Sequence, residues 1–191
     1  WPLTPIFQGT NRPLVRLSLA FNGAVNRWLG WREHFVAGYH LFNVTVHVLA
    51  ALVLMGVVRR TLLLRGYRAR FGSVARWLGF IAALFWLVHP LVTQAVDYVV
   101  QRSESMMGLF YLLTLYCTLR GAQSSRYVGH AWFILACLSC LMGWGSKEVI
   151  ITVPVVLLLY DRTFLAGSFI NALRRRWALY VVLVAMSGFL M

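Results

Sequence analysis

The chain has 191 residues, of which 60% are hydrophobic and 12% are charged. Soluble domains carry roughly 45–50% apolar and about 25% charged residues, so this composition excludes a soluble globular domain and indicates an integral membrane protein. Eighteen basic residues against five acidic ones give a formal net charge of +13. In a membrane protein this excess indicates arginine-rich loops on one side of the bilayer, or surfaces that bind membrane lipids with anionic head groups, and not a nucleic-acid partner.

The first predicted element is an amphipathic helix over residues 13–30. Its apolar side chains recur three or four positions apart and form one stripe, whereas its polar side chains lie mostly off that stripe. The stripe consists of Leu14, Leu17, Phe21, Val25, Trp28 and Leu29. A helix of this kind lies in the plane of the membrane interface, so we expect residues 1–33 to form an outer-face segment with an amphipathic juxtamembrane helix.

Six apolar segments follow, and each predicts a membrane-spanning helix, because about 20 mostly apolar residues are needed to cross a bilayer. They run over residues 34–58, 74–89, 103–120, 129–144 and 149–160, and from 177 onward. The predicted fold is all-α: a polytopic membrane helical bundle of about six transmembrane helices in residues 34–191, preceded by the amphipathic helix. Since the chain begins without methionine and ends within an apolar run, we expect this domain to be incomplete at both ends.

Arginine marks three of the connections between these segments. Residues 59–76, 120–129 and 161–176 hold six, two and four arginines, respectively. The positive-inside rule places these three connections in the cytoplasm. The opposite, outer face then receives the segments 1–33, 89–102 and 145–148.

Three polar side chains lie within the first predicted span. His40, Asn43 and His47 are separated by three and four residues and therefore share one helix face. Polar groups inside a membrane commonly form hydrogen bonds between helices, and we interpret the three residues in this way. A transport pathway is an alternative. A metal site is not predicted, because no acid or third histidine lies at ligand spacing.

The candidate binding site consists of charged residues next to the predicted outer ends of the spans, namely Asp97, Arg102, Glu104, Lys147 and Glu148. Ionisable groups near lipid are sparse and usually functional. Arginine and lysine suit a phosphate, and carboxylates suit a general base or a divalent metal, so the cluster suits a lipid-linked phosphate. Local structure is the alternative, since acids are favoured at helix N-termini. Arg102 could instead pair with an acid, and Ser146 could cap a helix.

Several short motifs occur in a specific order. They are Asn11-Arg12-Pro13-Leu14, Tyr39-His40-Leu41-Phe42-Asn43, His89-Pro90, Gln101-Arg102-Ser103-Glu104, and Ser146-Lys147-Glu148 followed by Pro154 and Leu157-Leu158-Leu159-Tyr160-Asp161. In this order and spacing they resemble the transmembrane and tetratricopeptide-repeat O-mannosyltransferase-like family, which belongs to the GT-C class of integral membrane glycosyltransferases. The resemblance covers residues 11–176.

The resemblance implies a transferase that uses a polyprenyl-phosphate-linked sugar on the non-cytoplasmic face, with Arg102 and Lys147 in contact with the lipid phosphate. Because the family has many bacterial relatives, we expect a bacterial inner membrane. Enzymes of this class carry an essential acid in a first outer loop, so we expect the catalytic residue to lie outside this sequence. The alternative is a non-catalytic structural subunit packed against other membrane protein chains.

Overall fold

The computed structural model of the protein describes residues 12–31, 36–90 and 101–189. These ranges fold almost entirely into helices and contain no β-strand, which confirms the predicted all-α class. In chain order the α-helices are α1 (Pro13–Trp28), α2 (Val36–Leu62), α3 (Arg65–Phe71), α4 (Ala75–Val88), α5 (Arg102–Gln123), α6 (Arg126–Trp144), α7 (Val153–Tyr160) and α8 (Phe169–Phe189). A 3₁₀ helix (Glu148–Thr152) precedes α7, and a π-helical turn (Asp161–Ala166) follows it.

The helix boundaries follow local backbone chemistry. α1 begins at Pro13, whose fixed φ and missing N–H suit the first turn of a helix. It is followed by Gly30, which has a φ of 72°, a conformation that lets the chain leave a helix. α4 ends at Val88, and His89, which precedes Pro90, is extended, because proline disfavours a helical residue before it. Each of the six predicted apolar segments falls on a helix.

The structure does not support six membrane spans. Within the described residues, three helical stretches are long and apolar enough to cross a membrane: Val36–Leu62, Arg126–Trp144 and Glu148–Ala166. The number rises to four if α3 and α4, which meet at a bend of 92°, form one broken span. Of the other long helices, α5 begins with charged residues and α8 includes a run of three arginines. α5 and α8 each contain an apolar segment, but their charged residues keep them from qualifying as membrane spans.

Large apolar side chains cover the outside of the bundle. Leu52 of α2, Phe85 of α4 and Ile134 of α6 are 58%, 68% and 62% exposed. Contiguous apolar surface of this kind is rare on soluble monomers, and it is the surface that a lipid environment favours. The apolar helices and their outward-facing side chains make this a membrane protein.

α5 occupies the centre of the bundle. It packs most extensively against α6 and α2 and also contacts α1, α7 and the 3₁₀ helix. Thr114 and Thr118 are buried, and their hydroxyls donate to carbonyls one turn earlier in α5. Polar residues of membrane helices generally face the interior of the bundle. Because its neighbours shield it, α5 can carry more polar residues than a helix that faces lipid.

Small residues bring α4 close to α2. The buried residues of α4 are Ala75, Gly79 and Ala83, which are four positions apart and so form one stripe along the helix. A Cβ atom added at Gly79 would lie only 2.9 Å from the backbone carbonyl oxygen of Met55 in α2. Stripes of small residues allow close helix packing in membranes, so the α2–α4 contact depends on the absence of a side chain here.

α1 turns its polar face inward. Ser18 and Asn22 are buried against the bundle, whereas Phe21 and Trp28 are 61% and 85% exposed. The predicted helix and its two faces are therefore present. Leu17, Phe21, Trp28 and Leu29 of the apolar stripe are exposed, whereas Leu14 packs against the bundle. Such a stripe suits contact with lipid. The location of α1 at the outer membrane interface stays a prediction.

We predict that Gly79→Ala weakens the bundle and that Gly108→Ala does not. At Gly79 the added methyl group collides with a backbone atom of α2, and overpacking of this kind reduces the free energy of unfolding by about 1–3 kcal/mol. At Gly108 of α5 no atom lies within 4 Å of the added Cβ, so the higher helix propensity of alanine should raise stability by up to about 1 kcal/mol. Thermal unfolding in detergent measures both, and equal melting temperatures would contradict the close α2–α4 packing.

Candidate functional site

The beginnings of α1, α5 and the 3₁₀ helix meet at one end of the bundle. The backbone N–H of Leu14 donates to the carbonyl oxygen of Gly145 at 3.0 Å, which attaches the start of α1 to the turn after α6. The charged side chains at this end, here called the outer cluster, are Arg12, Glu104, Lys147 and Glu148. They come from three separate parts of the chain, and the fold brings them together.

Two ion pairs organise the outer cluster. Lys147 Nζ donates to Glu104 Oε1, which links the turn after α6 to the first turn of α5. The two side chains are 23% and 35% exposed. Arg12 Nη2 lies 3.7 Å from Glu148 Oε2, and this second pair is more exposed. Exposed ion pairs contribute only about 0–1 kcal/mol to stability, so the pairs matter mainly because they position charges at an accessible surface.

The turn before the 3₁₀ helix differs from its prediction. Ser146 does not cap the following helix: Lys147 is the N-cap residue and makes no side-chain capping bond. The buried Ser146 hydroxyl instead donates to the carbonyl oxygen of Met142, at 3.1 Å, in the last turn of α6. Glu104 and Glu148 do lie in first helical turns, where the helix dipole favours a negative charge.

Arg102 is completely buried at the start of α5. Its Nε donates to Asn43 Oδ1 of α2 at 2.9 Å. Its Nη2 donates to Asn22 Oδ1 of α1 at 2.9 Å and to the Tyr39 carbonyl oxygen at 3.2 Å, and Nη1 lies 3.5 Å from Ser18 Oγ. One guanidinium therefore joins α1, α2 and α5. Asn22 and Ser18 form the inward polar face of α1 described above, which explains why that face turns toward the protein.

The surroundings of Arg102 are polar but uncharged. The guanidinium carbon lies 4.3 Å from the ring centre of Phe42 and 5.5 Å from that of Tyr39, a favourable cation–π arrangement. Within the residues that the structure describes, no carboxylate pairs with Arg102, so the suggested Arg102–acid pair is not found there. This enclosure differs from the open position that contact with a lipid phosphate requires, and that role of Arg102 stays a prediction.

The three polar residues of α2 lie on the side of the helix that faces its neighbours. Asn43 is fully buried and accepts the hydrogen bond from Arg102 of α5. His47 Nε2 lies 3.3 Å from the carbonyl oxygen of Leu87 in α4. His40 is partly buried. The α2 face therefore supplies hydrogen bonds to two different helices.

A second buried network lies at the opposite, arginine-rich end, and the sequence reading missed it. Asp161 in the π-helical turn is fully buried. It accepts hydrogen bonds from Arg176 Nη1 and, at 2.9 Å, from the Tyr180 hydroxyl, both in α8. α8 departs from helical geometry at Arg176 (φ −134°, ψ 29°). The sequence signal that could have indicated this network is an acidic residue, Asp161, at the end of an apolar segment and in a connection rich in arginine.

Two further expectations concern ligands of the site. Asp97 lies outside the described residues, so its relation to the outer cluster stays a prediction. Within the described parts of the chain, no group of three or more His, Cys, Asp or Glu side chains could hold a metal ion.

We predict that Arg102→Met destabilises the protein much more than Arg174→Met, because Arg174 is exposed. Removal of Arg102 breaks its buried hydrogen bonds to Asn22 Oδ1 and Asn43 Oδ1, and the loss of a buried hydrogen bond from a charged donor costs about 1–3 kcal/mol. Thermal unfolding in detergent, followed by tryptophan fluorescence, should show a lower melting temperature for Arg102→Met alone. A melting temperature equal to that of the unchanged protein would mean that Arg102 does not hold the three helices together.

Comparison with known proteins finds similarity to animal protein O-mannosyl-transferases. The chain is 33% identical over 154 residues to protein O-mannosyl-transferase TMTC2 of Mus musculus and of Homo sapiens, a match that covers 78% of this chain and 16% of each relative. It is 31% identical over 157 residues to tmtc2 of Xenopus laevis, with the same coverage of 78% and 16%. No family model matches the chain, and no solved structure matches it.

The chain therefore spans about one-sixth of the length of these relatives. The similarity extends over most of the chain, and it confirms the resemblance that the short motifs indicated. On this evidence the chain belongs to a TMTC-like family of protein O-mannosyl-transferases.

Proposed function

We propose that this chain forms part of a membrane glycosyltransferase that transfers mannose from a polyprenyl-phosphate donor. Its relatives are named protein O-mannosyl-transferases, and its helices are those of a membrane protein. A donor anchored in the bilayer suits such a protein, because the reacting phosphate then lies at the membrane surface, near the ends of the helices. The outer cluster is a charged surface at the helix ends, and it is where we place the donor phosphate.

The observation that carries this proposal is the position of Lys147. It is the only lysine in the chain, it lies just before the 3₁₀ helix, and it remains partly exposed while paired with Glu104. A lysine at a helix N-terminus is disfavoured by the helix dipole, so local structure does not account for it. Glu104 already supplies one negative charge, and the exposed part of the Lys147 side chain can accept a donor phosphate as a second anionic partner.

The chemistry follows from this arrangement. When the sugar leaves the donor, negative charge develops on the lipid phosphate, and a positioned cation stabilises that charge. Lys147 Nζ is the cation in this proposal, and its ion pair with Glu104 orients it. Arg102 acts as a positioning residue, because its hydrogen bonds to α1 and α2 fix the start of α5, two residues before Glu104. The general base stays unassigned.

We propose that the outer cluster faces the non-cytoplasmic side. The argument is electrostatic, since positively charged loops are retained in the cytoplasm and the three arginine-rich connections meet at the other end of the bundle. The reported relatives are animal proteins, so the expected bacterial inner membrane finds no support among them.

We predict that Lys147→Gln, made in the complete enzyme of which this chain forms part, lowers mannose transfer by about 10²–10³-fold, the usual loss when one charge-stabilising group is removed. Arg174→Gln, which removes one positive charge from the exposed surface of α8, is the matched control and should leave transfer unchanged. The assay measures transfer from polyprenyl-phosphate mannose to an acceptor peptide in membranes that contain equal amounts of folded protein. Normal transfer by Lys147→Gln would remove the outer cluster from the reaction.

We predict that residues at the two ends of the bundle are accessible from opposite sides of the membrane. Glu148→Cys at the outer cluster should react with a membrane-impermeant maleimide added outside intact cells. Ser73→Cys, in the exposed turn between α3 and α4, should react only after the membrane is permeabilised. The three native cysteines are buried or partly buried and give the background. Labelling of both variants from the same side would overturn the proposed orientation.

A further inference from the structure

The three arginine-rich connections surround one cavity. It has a volume of about 740 Å³ and is lined by the end of α2, the start of α3, the end of α5, the π-helical turn and α8. Volumes of about 300–1,000 Å³ are usual for ligand sites. The cavity lies at the end of the bundle opposite the outer cluster, so it is separate from the proposed transferase site.

Positive charge dominates the walls of this cavity. The arginines that line it are Arg59, Arg60, Arg65, Arg175 and Arg176. No aspartate or glutamate is among its lining residues in the described chain. Like charges gathered around one space repel each other, so the arrangement is more favourable when an anion occupies it.

Two of the five arginines form an ion pair or side-chain hydrogen bonds with other residues of the protein. Arg176 is paired with Asp161. Arg60 donates to the hydroxyl of Tyr116 at 3.3 Å and to Gln123 Oε1 at 3.2 Å. Arg59, Arg65 and Arg175 form no ion pair within the ranges that the structure covers. Three guanidinium groups around the cavity thus have no carboxylate to neutralise them.

An apolar groove shares a wall with the arginine cavity. It has a volume of about 790 Å³, lies between α6 and α8, and includes Arg175 and Arg176 in its lining. Arg126 and His130 in the first turns of α6 also line it, and Leu138, Leu141 and Val182 line it farther along α6 and α8. A cationic cavity beside an apolar groove matches a ligand with a charged head and a hydrocarbon chain.

We propose that an anionic phospholipid binds at this end of the bundle, with its phosphate group in the arginine cavity and an acyl chain along the groove between α6 and α8. The planar guanidinium group offers paired donors that match phosphate oxygens. Basic residues at a membrane surface attract anionic lipids by about 1 kcal/mol each. The bound lipid would connect α2 and α3 to α8.

The test compares two variants that lose the same charge. Arg59→Gln, Arg65→Gln and Arg175→Gln together remove the three arginines without a carboxylate. Arg68→Gln, Arg70→Gln and Arg174→Gln together remove three exposed arginines from the same end of the protein, none of which lines the cavity. Native mass spectrometry of the full chain in detergent counts the phosphatidylglycerol and phosphatidylcholine that each variant retains.

We expect the unchanged protein and the surface variant to bind phosphatidylglycerol at least about tenfold more tightly than phosphatidylcholine, and the cavity variant to lose that preference. An equal loss in both triple variants would overturn the proposal, because it would show a diffuse surface effect. Thermal unfolding of the same samples shows whether the cavity variant is folded, so that a loss of lipid binding is not confused with a loss of the fold.

A further variant tests whether the acyl chain occupies the groove, and it leaves every arginine unchanged. Ala178→Trp adds a bulky side chain to an exposed position that lines the groove, and it should reduce phosphatidylglycerol retention. Adding soluble glycerol phosphate as a competitor distinguishes a lipid head group from a free phosphate compound as the ligand of the cavity. Competition by glycerol phosphate at the same concentration as the lipid would assign the cavity to a free phosphate compound. Full lipid retention by Ala178→Trp would show that the acyl chain does not lie in the groove. Either result would overturn the proposal.

Discussion

The arrangement of the bundle depends on one buried cation, Arg102. A guanidinium without water must have hydrogen-bond acceptors, since burial of an unpaired charge is very costly. Asn43 and the Tyr39 carbonyl of α2 and Asn22 of α1 supply them. Because these acceptors come from two helices, the same bonds fix how α1 and α2 lie against the start of α5. α1 must direct its polar face inward and its apolar face toward lipid.

This constraint also positions the outer cluster. Glu104 follows Arg102 by two residues, so an α5 that is fixed at Arg102 holds the carboxylate that pairs with Lys147. α1 is attached at its other end to the turn after α6 through the bond from Leu14 to Gly145. The partly exposed lysine is therefore held by contacts from three elements. Binding sites gain from such support, because less ordering is needed when the ligand arrives.

The sequence was enough to identify most residues of the candidate site, but it did not show how they are arranged in space. The scarcity of charge in an apolar chain singled out Arg102, Glu104, Lys147 and Glu148, since ionisable groups near lipid are seldom accidental. The same argument could not separate the buried Arg102 from the accessible Lys147. That difference depends on which helices cover each side chain, and the covering residues are distant in the chain. The number of membrane spans was overestimated because the helices that contain the apolar segments of α5 and α8 also include charged residues.

The sequence by itself determined the all-α class, the positions of the helices, the two faces of α1 and the family, because these depend on local composition, on spacing along one helix and on short motifs. Only the tertiary structure decided the partners: Arg102 with the amides of α1 and α2, Lys147 with Glu104, Asp161 with Arg176 and Tyr180, and the arginines of three connections around one cavity. The physical reason is that a charged side chain must find its partner in space. Spacing along the chain does not specify which helix will supply it.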